Sequence, residues 1–388
     1  MRALETAKTD TMAPLHVMTV FGTRPEAIKL APVIKTLQSD KRFRSTVVVT
    51  AQHREMLDQV LHLFNIKPDV DLDLMRENQD LASLTASIFT HIDPVLASHQ
   101  PDWLLVQGDT TTVMAAALNA FYRQIRVGHV EAGLRTKDKW QPFPEEINRR
   151  IASAVADLHF APTHTARDNL LREGIPDKRI KVTGNTIIDA LNQASALAAP
   201  ENIKNILSEK GIASGDKRLV LVTAHRRENF GQPIREICEA IKILAEMYGN
   251  SVEFIYPVHL NPHIKEPVNT ILGGTPNVTL LPPIPYLALV HLLKNAYIIL
   301  TDSGGIQEEA TGLGVPCLVL RDVTERPEGI DAGVLKLVGA EQQSIIREAQ
   351  ALLEDATLRN QMANAANPYG DGTAAQQIIS YLLEQVNS

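Results

Sequence analysis

The chain contains very few cysteines. Only Cys238 and Cys317 occur among its 388 residues, far apart and in apolar surroundings. A disulfide framework and a cysteine-based zinc site are therefore excluded. We interpret both cysteines as small core residues, and we expect a cytoplasmic location, where thiols stay reduced.

Two common cofactor motifs are also missing. No glycine is followed by a lysine, so a Walker A phosphate loop is excluded. The one match to the loosened G-x-G-x-x-A dinucleotide pattern is Gly370, Gly372 and Ala375. It leaves no room downstream for the strand and the ribose-binding acid that such a site needs. NAD is therefore unsupported, and we predict no cofactor.

Metal-binding patterns are equally weak. Asp71 and Asp73 form the D-x-D pair that metal-dependent nucleotide-sugar transferases use, but together with Asp69 they fit the solvated face of a short strand better. His159 and His164 have no neighbouring acid or cysteine that could complete a ligand set. We assign no metal.

The chain has no strong excess of charge and no uninterrupted apolar segment. Its net charge of −7 predicts neither nucleic acid nor an anionic membrane as a partner. The uncharged stretch 268–293 is interrupted by glycines and prolines, so we expect no transmembrane helix. The polar residues 1–13 are interpreted as a loose leader rather than a signal peptide.

What the sequence does contain is a regular alternation of short apolar runs with longer helical patterns, as expected for a folded, water-soluble protein. Several runs are apolar on both faces, which is typical of parallel strands covered by helices. The pattern predicts an α/β fold with two doubly wound, Rossmann-like domains. Strands are predicted at 17–21, 46–50, 103–107, 127–130, 180–183, 219–223, 252–256, 278–281, 297–301 and 317–320.

We place an N-terminal domain at 14–184, a C-terminal domain at 185–367 and a final segment at 368–388. The final segment contains an amphipathic stretch that can cover either domain. Two such domains facing each other bring the carboxyl ends of both sheets to one cleft, where α/β proteins bind ligands. The chemistry should therefore lie in the loops that follow strands.

The first strand leads into Gly22, Arg24 and Pro25, followed by a helix that contains Lys29. Free N–H groups at the helix start, together with Arg24 and Lys29, would suit a phosphate. The alternative is an ordinary strand–helix turn with a surface arginine, and the two interpretations are about equal.

Four acidic residues at three sites follow predicted strands or begin helices. Asp109 and Glu131 stand after successive strands, although Asp109 alone is explained better as a helix N-cap. Glu145 and Glu146 begin a helix after two prolines, where one of them would complement the helix dipole. Two acids at equivalent strand ends favour chemistry over capping.

The second half contributes a histidine and a glycine-rich turn. His225 follows a strand and precedes two arginines, which fits an acid or an anion ligand better than a core histidine. Ser303, Gly304 and Gly305 expose N–H groups at a helix start that suit a pyrophosphate. An acid one turn later could accept hydrogen bonds from a ribose.

These motifs, in this order, closely resemble the non-hydrolysing UDP-N-acetylglucosamine 2-epimerases. The likeness extends from residue 17 to the end of the chain and rests on the stretches 22–26, 108–112, 130–135, 144–149, 225–230, 302–309 and 367–372. The resemblance implies a GT-B fold with a C-terminal helix that crosses back to the first domain. It also implies a homodimer.

The resemblance further implies reversible epimerisation of UDP-N-acetylglucosamine to UDP-N-acetylmannosamine, through elimination of UDP to 2-acetamidoglucal and its re-addition. Matching the family's motifs makes the catalytic groups Asp109, Glu131, Glu145 and His225. It assigns substrate binding to Arg24, Lys29, Arg149, Ser303, Gly304, Gly305 and Glu309, with 281–286 as a uracil loop. A hydrolysing epimerase and a GT-B glycosyltransferase that uses a UDP-sugar donor remain alternatives.

The chain departs from the family at one place. Many bacterial members bind a second, activating substrate through a Gln-His-x-Gln run and a downstream Met-x-x-Arg-Gln. Here Gln52 and His53 are kept, but Glu55 replaces the second glutamine and the arginine is displaced. Gln52, His53 and His259 are candidates for a second, regulatory site, and activation by substrate is not carried over.

Overall fold

Two parallel β-sheets, each covered by helices on both faces, form the protein. The computed structural model describes residues 13–50, 54–74, 76 and 79–385. The first sheet has the order β3-β2-β1-β4-β5-β6-β7. Its strands are β1 (Leu15–Phe21), β2 (Phe43–Val49), β3 (Val70–Asp71), β4 (Trp103–Gln107), β5 (Arg126–Val130), β6 (Leu158–Ala161) and β7 (Ile180–Val182).

The second sheet has the order β10-β9-β8-β11-β12-β13, again with parallel neighbours. Its strands are β8 (Arg218–Thr223), β9 (Val252–Pro257), β10 (Val278–Leu281), β11 (Ala296–Thr301), β12 (Cys317–Val319) and β13 (Leu335–Leu337). Both sheets match the predicted doubly wound α/β fold.

Helices follow most of the strands. In the first half these are α1 (Arg24–Ser39), α2 (Arg54–Leu63), α3 (Leu81–His99), α4 (Thr111–Tyr122), α5 (Glu145–Val155), α6 (His164–Arg172), α7 (Thr186–Ala196) and α8 (Glu201–Glu209). The second half contains α9 (Gln232–Tyr248), α10 (Pro262–Leu272), α11 (Tyr286–Asn295), α12 (Gly304–Gly312), α13 (Pro327–Asp331), α14 (Gln342–Glu354), α15 (Ala356–Ala363) and α16 (Ala374–Glu384). Among the described residues, no helix combines the length and the apolarity needed to span a bilayer.

The continuous apolar strands explain the helices on both faces. Val17 and Phe21 of β1 point into one core cluster, whereas Met18 and Val20 point into another on the opposite side of the sheet. Because successive side chains of a strand alternate between faces, a strand that is apolar throughout needs cover on both. Cys238 and Cys317 are free and buried in the second half, as predicted.

Ten of these strands were predicted from the sequence, and two further strands, β6 and β13, were not. β6 is only four residues long and includes His159, and β13 is three residues long with Lys336 at its centre. Neither has an apolar run long enough to be recognised in the sequence. Both are strands because they pair with β5 and β12 in the sheets. The predicted face with Asp69, Asp71 and Asp73 contains the two-residue strand β3.

Each sheet reverses its strand order at one point. The reversal lies between β1 and β4 in the first sheet and between β8 and β11 in the second. At such a point the loops leave the carboxyl ends in opposite directions and open a crevice. Arg24 and Asp109 follow the two strands of the first crevice, and His225 and Ser303 follow those of the second.

The last helix returns to the first half of the chain. Ile378 and Leu382 of α16 belong to the same core cluster as α1 residues and as Ile187 and Leu191 of α7. The first turn of α16 is fixed by Asp189 of α7. Its carboxylate accepts hydrogen bonds from the backbone N–H of Ala374 at 3.3 Å and of Ala375 at 2.9 Å. A side chain of a different helix thus caps α16.

We expect Asp189→Ala to release the start of α16. The change deletes two buried hydrogen bonds and should lower the free energy of unfolding by about 1–3 kcal/mol. Hydrogen exchange of the amides in 374–384 should accelerate, which mass spectrometry can follow. Asp371→Asn, at an exposed cap just before the helix, should shift stability by less than about 0.5 kcal/mol. Equal effects of the two variants would refute the role of Asp189.

Candidate active site

A cavity of about 590 Å³ lies between the two halves. Its walls come from the loops after β1, β4 and β5, the start of α5, and the loops after β8, β9, β10 and β11. Of the residues predicted from the sequence, those that line it are Arg24, Lys29, Asp109, Glu131, Glu145, Arg149, His225, His259, Ser303, Gly305 and Glu309. Residues from distant parts of the chain therefore converge on one site.

The turn after β1 is held by Glu26. One of its carboxylate oxygens accepts hydrogen bonds from the backbone N–H groups of Gly22 at 3.1 Å and Thr23 at 2.7 Å, completing a capping box. The other oxygen accepts from Thr110 Oγ1 at 2.7 Å. Glu26 thus joins the first two loops of the cavity and fixes the backbone from which Arg24 faces it.

Asp109 is fixed from three directions. Its Oδ2 atom accepts hydrogen bonds from Arg149 Nη2 at 2.7 Å and Nε at 2.9 Å. The flanking peptides are held as well, because His129 Nε2 donates to the Gly108 carbonyl at 2.7 Å and Asn148 Nδ2 donates to the Asp109 carbonyl at 2.9 Å. The predicted substrate ligand Arg149 is therefore also a partner of the predicted catalytic acid.

Glu131 lies buried beside Lys29 of α1. Its Oε2 atom accepts hydrogen bonds from Lys29 Nζ at 2.5 Å and from Gln107 Nε2 at 2.6 Å. Burial raises the pKa of Glu131 above its ordinary value, and the Lys29 ammonium opposes that rise. Its φ of 62° falls in the left-handed region, which costs a residue other than glycine about 1–3 kcal/mol. The backbone that carries this carboxylate is therefore strained.

The two glutamates at the start of α5 have different surroundings. Glu146 is fully buried and pairs with Arg149 and Arg150. Glu145 lines the cavity, and among the described residues its buried Oε2 has no hydrogen-bond partner. Burial raises the pKa of Glu145, and Asp109 adds to the rise. Glu146 is therefore a structural residue through its ion pairs with two arginines, and Glu145 is available to a ligand.

In the second half, Asp302 positions the loop that carries His225. Its Oδ2 atom accepts hydrogen bonds from the backbone N–H of His225 and Arg226, each at 2.8 Å, and from Asn229 Nδ2 at 2.9 Å. The His225 ring faces the cavity and stacks on His259 with 5.5 Å between ring centroids. Burial lowers the pKa of His225, although Asp302 opposes the shift.

Only part of the glycine-rich turn before α12 lines the cavity. Ser303 and Gly305 line it, whereas Gly304 packs against Arg326, whose guanidinium would lie 3.0 Å from a Cβ at that position. Glu309, one turn later, lines the cavity near Tyr286. Burial raises the pKa of Glu309 to about 7. The predicted uracil loop contributes Pro283, Ile284 and Tyr286 to the wall.

Three charged residues of this region, Glu308, Glu325 and Arg326, were not predicted from the sequence. Arg326 lines the cavity, and Glu308 lies directly behind it with Arg326 Nε at 3.0 Å from its Oε1 atom. Glu308 also approaches Lys29, with 3.3 Å between Nζ and Oε2. Arg326 follows no strand directly, and Glu308 is adjacent to Glu309 in sequence. In the sequence, only the adjacency of Glu308 to Glu309 could have indicated that Glu308 belongs to the site.

The proposed second site is described only in part. His259 lines the cavity beside His225, but Gln52 and His53 lie outside the described residues. In the described ranges, no group of three or more His, Cys, Asp or Glu side chains is arranged to hold a metal ion.

Comparisons with known proteins agree with this site. A family model described as UDP-N-acetylglucosamine 2-epimerase matches residues 35–383. The UDP-N-acetylglucosamine 2-epimerase of Yersinia pestis is 52% identical over 370 residues, covering 95% of this chain and 98% of that protein. Its counterpart from Escherichia coli (strain K12) is 50% identical with the same coverage.

Solved structures agree as well. The crystal structure of UDP-GlcNAc 2-epimerase from Neisseria meningitidis bound to UDP-GlcNAc superposes with a TM-score of 0.88 at 49% sequence identity, and the match covers 95% of this chain and 100% of that one. With a family model spanning most of its length and relatives near half identity, the chain belongs to the UDP-N-acetylglucosamine 2-epimerase family.

Proposed function

We propose that the cavity catalyses the reversible C2 epimerisation of UDP-N-acetylglucosamine to UDP-N-acetylmannosamine by elimination of UDP and its re-addition. The observation that carries the proposal is the convergence on one cavity of Asp109, Glu131 and Glu145 from the first half of the chain with Ser303, Gly305 and Glu309 from the second half. The first group suits proton transfer at a sugar. The second suits a diphosphate and a ribose.

Elimination has to come first. The C2 proton of the sugar is not adjacent to a carbonyl group, so it becomes acidic only as the C1–O bond to UDP breaks and cationic character develops. A carboxylate then takes the proton, the C–H electrons form the C1=C2 double bond, and UDP leaves with the electron pair of the C1–O bond. Return of a proton to the opposite face, with re-addition of UDP at C1, gives the epimer.

Three buried or half-buried carboxylates support this chemistry. Epimerisation needs acid/base groups on both faces of C2, and the raised pKa values of Glu131 and Glu145 bring them closer to neutral pH. We assign Asp109, Glu131 and Glu145 to proton transfer without dividing the faces among them. Arg149, which holds Asp109, is assigned to the sugar.

The departing diphosphate needs positive charge and hydrogen-bond donors. We assign this role to His225, Arg24 and Lys29, together with the turn formed by Ser303, Gly304 and Gly305, where Gly304 contributes through its backbone. Glu309 is assigned to the ribose hydroxyls.

We also propose a homodimer and a cytoplasmic location. Phe121 and Tyr122 at the end of α4 are exposed, which supports burial against another copy. The two free cysteines are compatible with a reducing compartment. Light scattering that gives the mass of one chain would contradict the dimer, and recovery outside the cytoplasmic fraction would contradict the location.

The reaction is tested by incubating the protein with UDP-N-acetylglucosamine in D₂O without metal, NAD or an acceptor. We expect proton NMR to show deuterium at C2 and a mixture of two UDP-sugars. Unchanged, undeuterated substrate under conditions of demonstrated binding would falsify the proposal. Free N-acetylmannosamine as the main product would indicate a hydrolysing enzyme instead.

Asp109→Asn provides the inactive reference for this experiment. It keeps the shape of the side chain but removes its charge and basicity, so deuterium exchange should fall at least about 100-fold. UDP affinity should change only a few-fold. Asp216→Asn, at an exposed carboxylate outside the cavity, should exchange like the unchanged protein. Retained exchange in Asp109→Asn would remove Asp109 from the catalytic set.

Substrate affinity should depend on pH through Glu309. Ribose hydroxyls donate to the ionised carboxylate, so binding should release a proton from a group whose pKa is about 7 and should tighten as pH rises. Between pH 6 and 8 we expect roughly five- to tenfold tighter binding. The diphosphate of UDP-N-acetylglucosamine is a diester that does not titrate in this range.

Calorimetry in the Asp109→Asn background can measure this dependence without turnover. Adding Glu309→Gln should weaken binding and flatten its pH profile, because the variant has no carboxyl to ionise. A profile that keeps its slope after Glu309→Gln would assign the proton to another acidic group.

A further inference from the structure

A row of alternating charges crosses from one half of the protein to the other along the cavity wall, and all of its members except Glu308 line the cavity. Lys29 lies between Glu131, at 2.5 Å, and Glu308, at 3.3 Å. Arg326 continues the row through contacts with Glu308 and Glu325, each at 3.0 Å. Lys29 and Glu131 belong to the first half, whereas the other three belong to the second.

The row is almost completely shielded from water. The side chains of Lys29, Glu131 and Glu308 are exposed by 9%, 6% and 2%. A buried ion whose partner is removed is far less stable than a buried pair. The Lys29 ammonium therefore depends on having at least one ionised carboxylate beside it.

Proton transfer would change this balance. When Glu131 accepts a proton, it no longer supplies the charge that Lys29 needs. Glu308 is the second carboxylate within ion-pair distance of Lys29, and Lys29 with Arg326 holds the pKa of Glu308 below its usual range despite burial. Glu308 thus remains ionised while Glu131 changes its protonation state.

The hydrogen bonds of Glu131 also indicate which oxygen carries the proton. Lys29 and Gln107 both donate to Oε2. In the described part of the chain, no residue donates a hydrogen bond to Oε1 of Glu131. A proton from the substrate would therefore bond to Oε1, with Oε2 still held by its two donors.

Resting on the function proposed above, we propose that Glu308 is a positioning residue for the reaction: it shares Lys29 with Glu131, so that Glu131 can accept a proton without leaving a buried ammonium unpaired. Glu308 itself does not line the cavity. Its effect must therefore pass through Lys29 rather than through contact with the substrate.

Three charged groups surround Glu131 and affect its pKa. They are Lys29 from α1, Glu308 from α12 and Arg326 before α13, whereas Gln107 from β4 is uncharged. Burial raises the pKa of Glu131, Lys29 and Arg326 oppose the rise, and Glu308 adds to it. Without the charge of Glu308, Lys29 would stabilise the ionised form of Glu131 more strongly, and Glu131 would be a weaker base.

The test is the pH profile of C2 deuterium exchange in Glu308→Gln, measured by NMR. The acidic limb should move to lower pH by about half to one unit, and the plateau rate should fall about two- to fivefold because a base of lower pKa is less effective. The KM and the affinity for UDP should stay within about twofold. Glu328→Gln is the matched control.

That control removes a carboxylate charge at another contact between the halves, where Thr163 Oγ1 donates to Glu328 Oε1 at 2.6 Å, without changing the charge row. It should leave the limb in place. Glu308→Asp withdraws the carboxylate by one methylene and should shift the limb in the same direction by less. If Glu308→Gln does not fold, Glu308→Asp is decisive alone.

An unmoved limb in the folded variants would overturn the inference, as would a loss of UDP affinity that parallels the loss of rate. Absence of exchange in the unchanged protein would instead defeat the proposed function. Exchange in the unchanged protein with identical profiles in the Glu308 variants would defeat only the role of Glu308.

Discussion

The buried ammonium of Lys29 constrains the centre of this protein more than any other single group. It needs carboxylates within ion-pair distance, and it finds one in each half of the chain, Glu131 and Glu308. The two halves can therefore satisfy it together only when their sheets face each other across the cavity. Charge compensation at Lys29 therefore links the relative placement of the two halves to the protonation state of Glu131.

Elsewhere in the site, polar side chains fix the loops and residues that face the cavity. Glu26 closes the first loop onto the second, His129 and Asn148 hold the peptides beside Asp109, and Asp302 gathers three donors beneath His225. Such fixed polar contacts keep side chains oriented before a ligand arrives. The residues facing the cavity thus depend on supporting side chains, of which His129, Asn148 and Asp302 do not line it.

Much of the fold and much of the site could be predicted from local patterns in the sequence. Long apolar strands and the residues after them could be predicted, because parallel strands bring their carboxyl ends to one edge. The short strands β6 and β13 have no such pattern. Glu308 and Glu309 are neighbours on a helix, and only packing decides that Glu309 faces the cavity while Glu308 faces Lys29 and Arg326. Charge pairing between distant segments leaves no periodic trace in a sequence.

The return of α16 to α1 has a consequence for how the chain is made. Ile378 and Leu382 complete a core cluster that otherwise consists largely of residues from the first half. During synthesis the first half emerges early, but its apolar face stays open until the last helix leaves the ribosome. The order of synthesis and the order of core completion therefore differ, and the sheet of the first half reaches its final packing only once residues 374–384 are available.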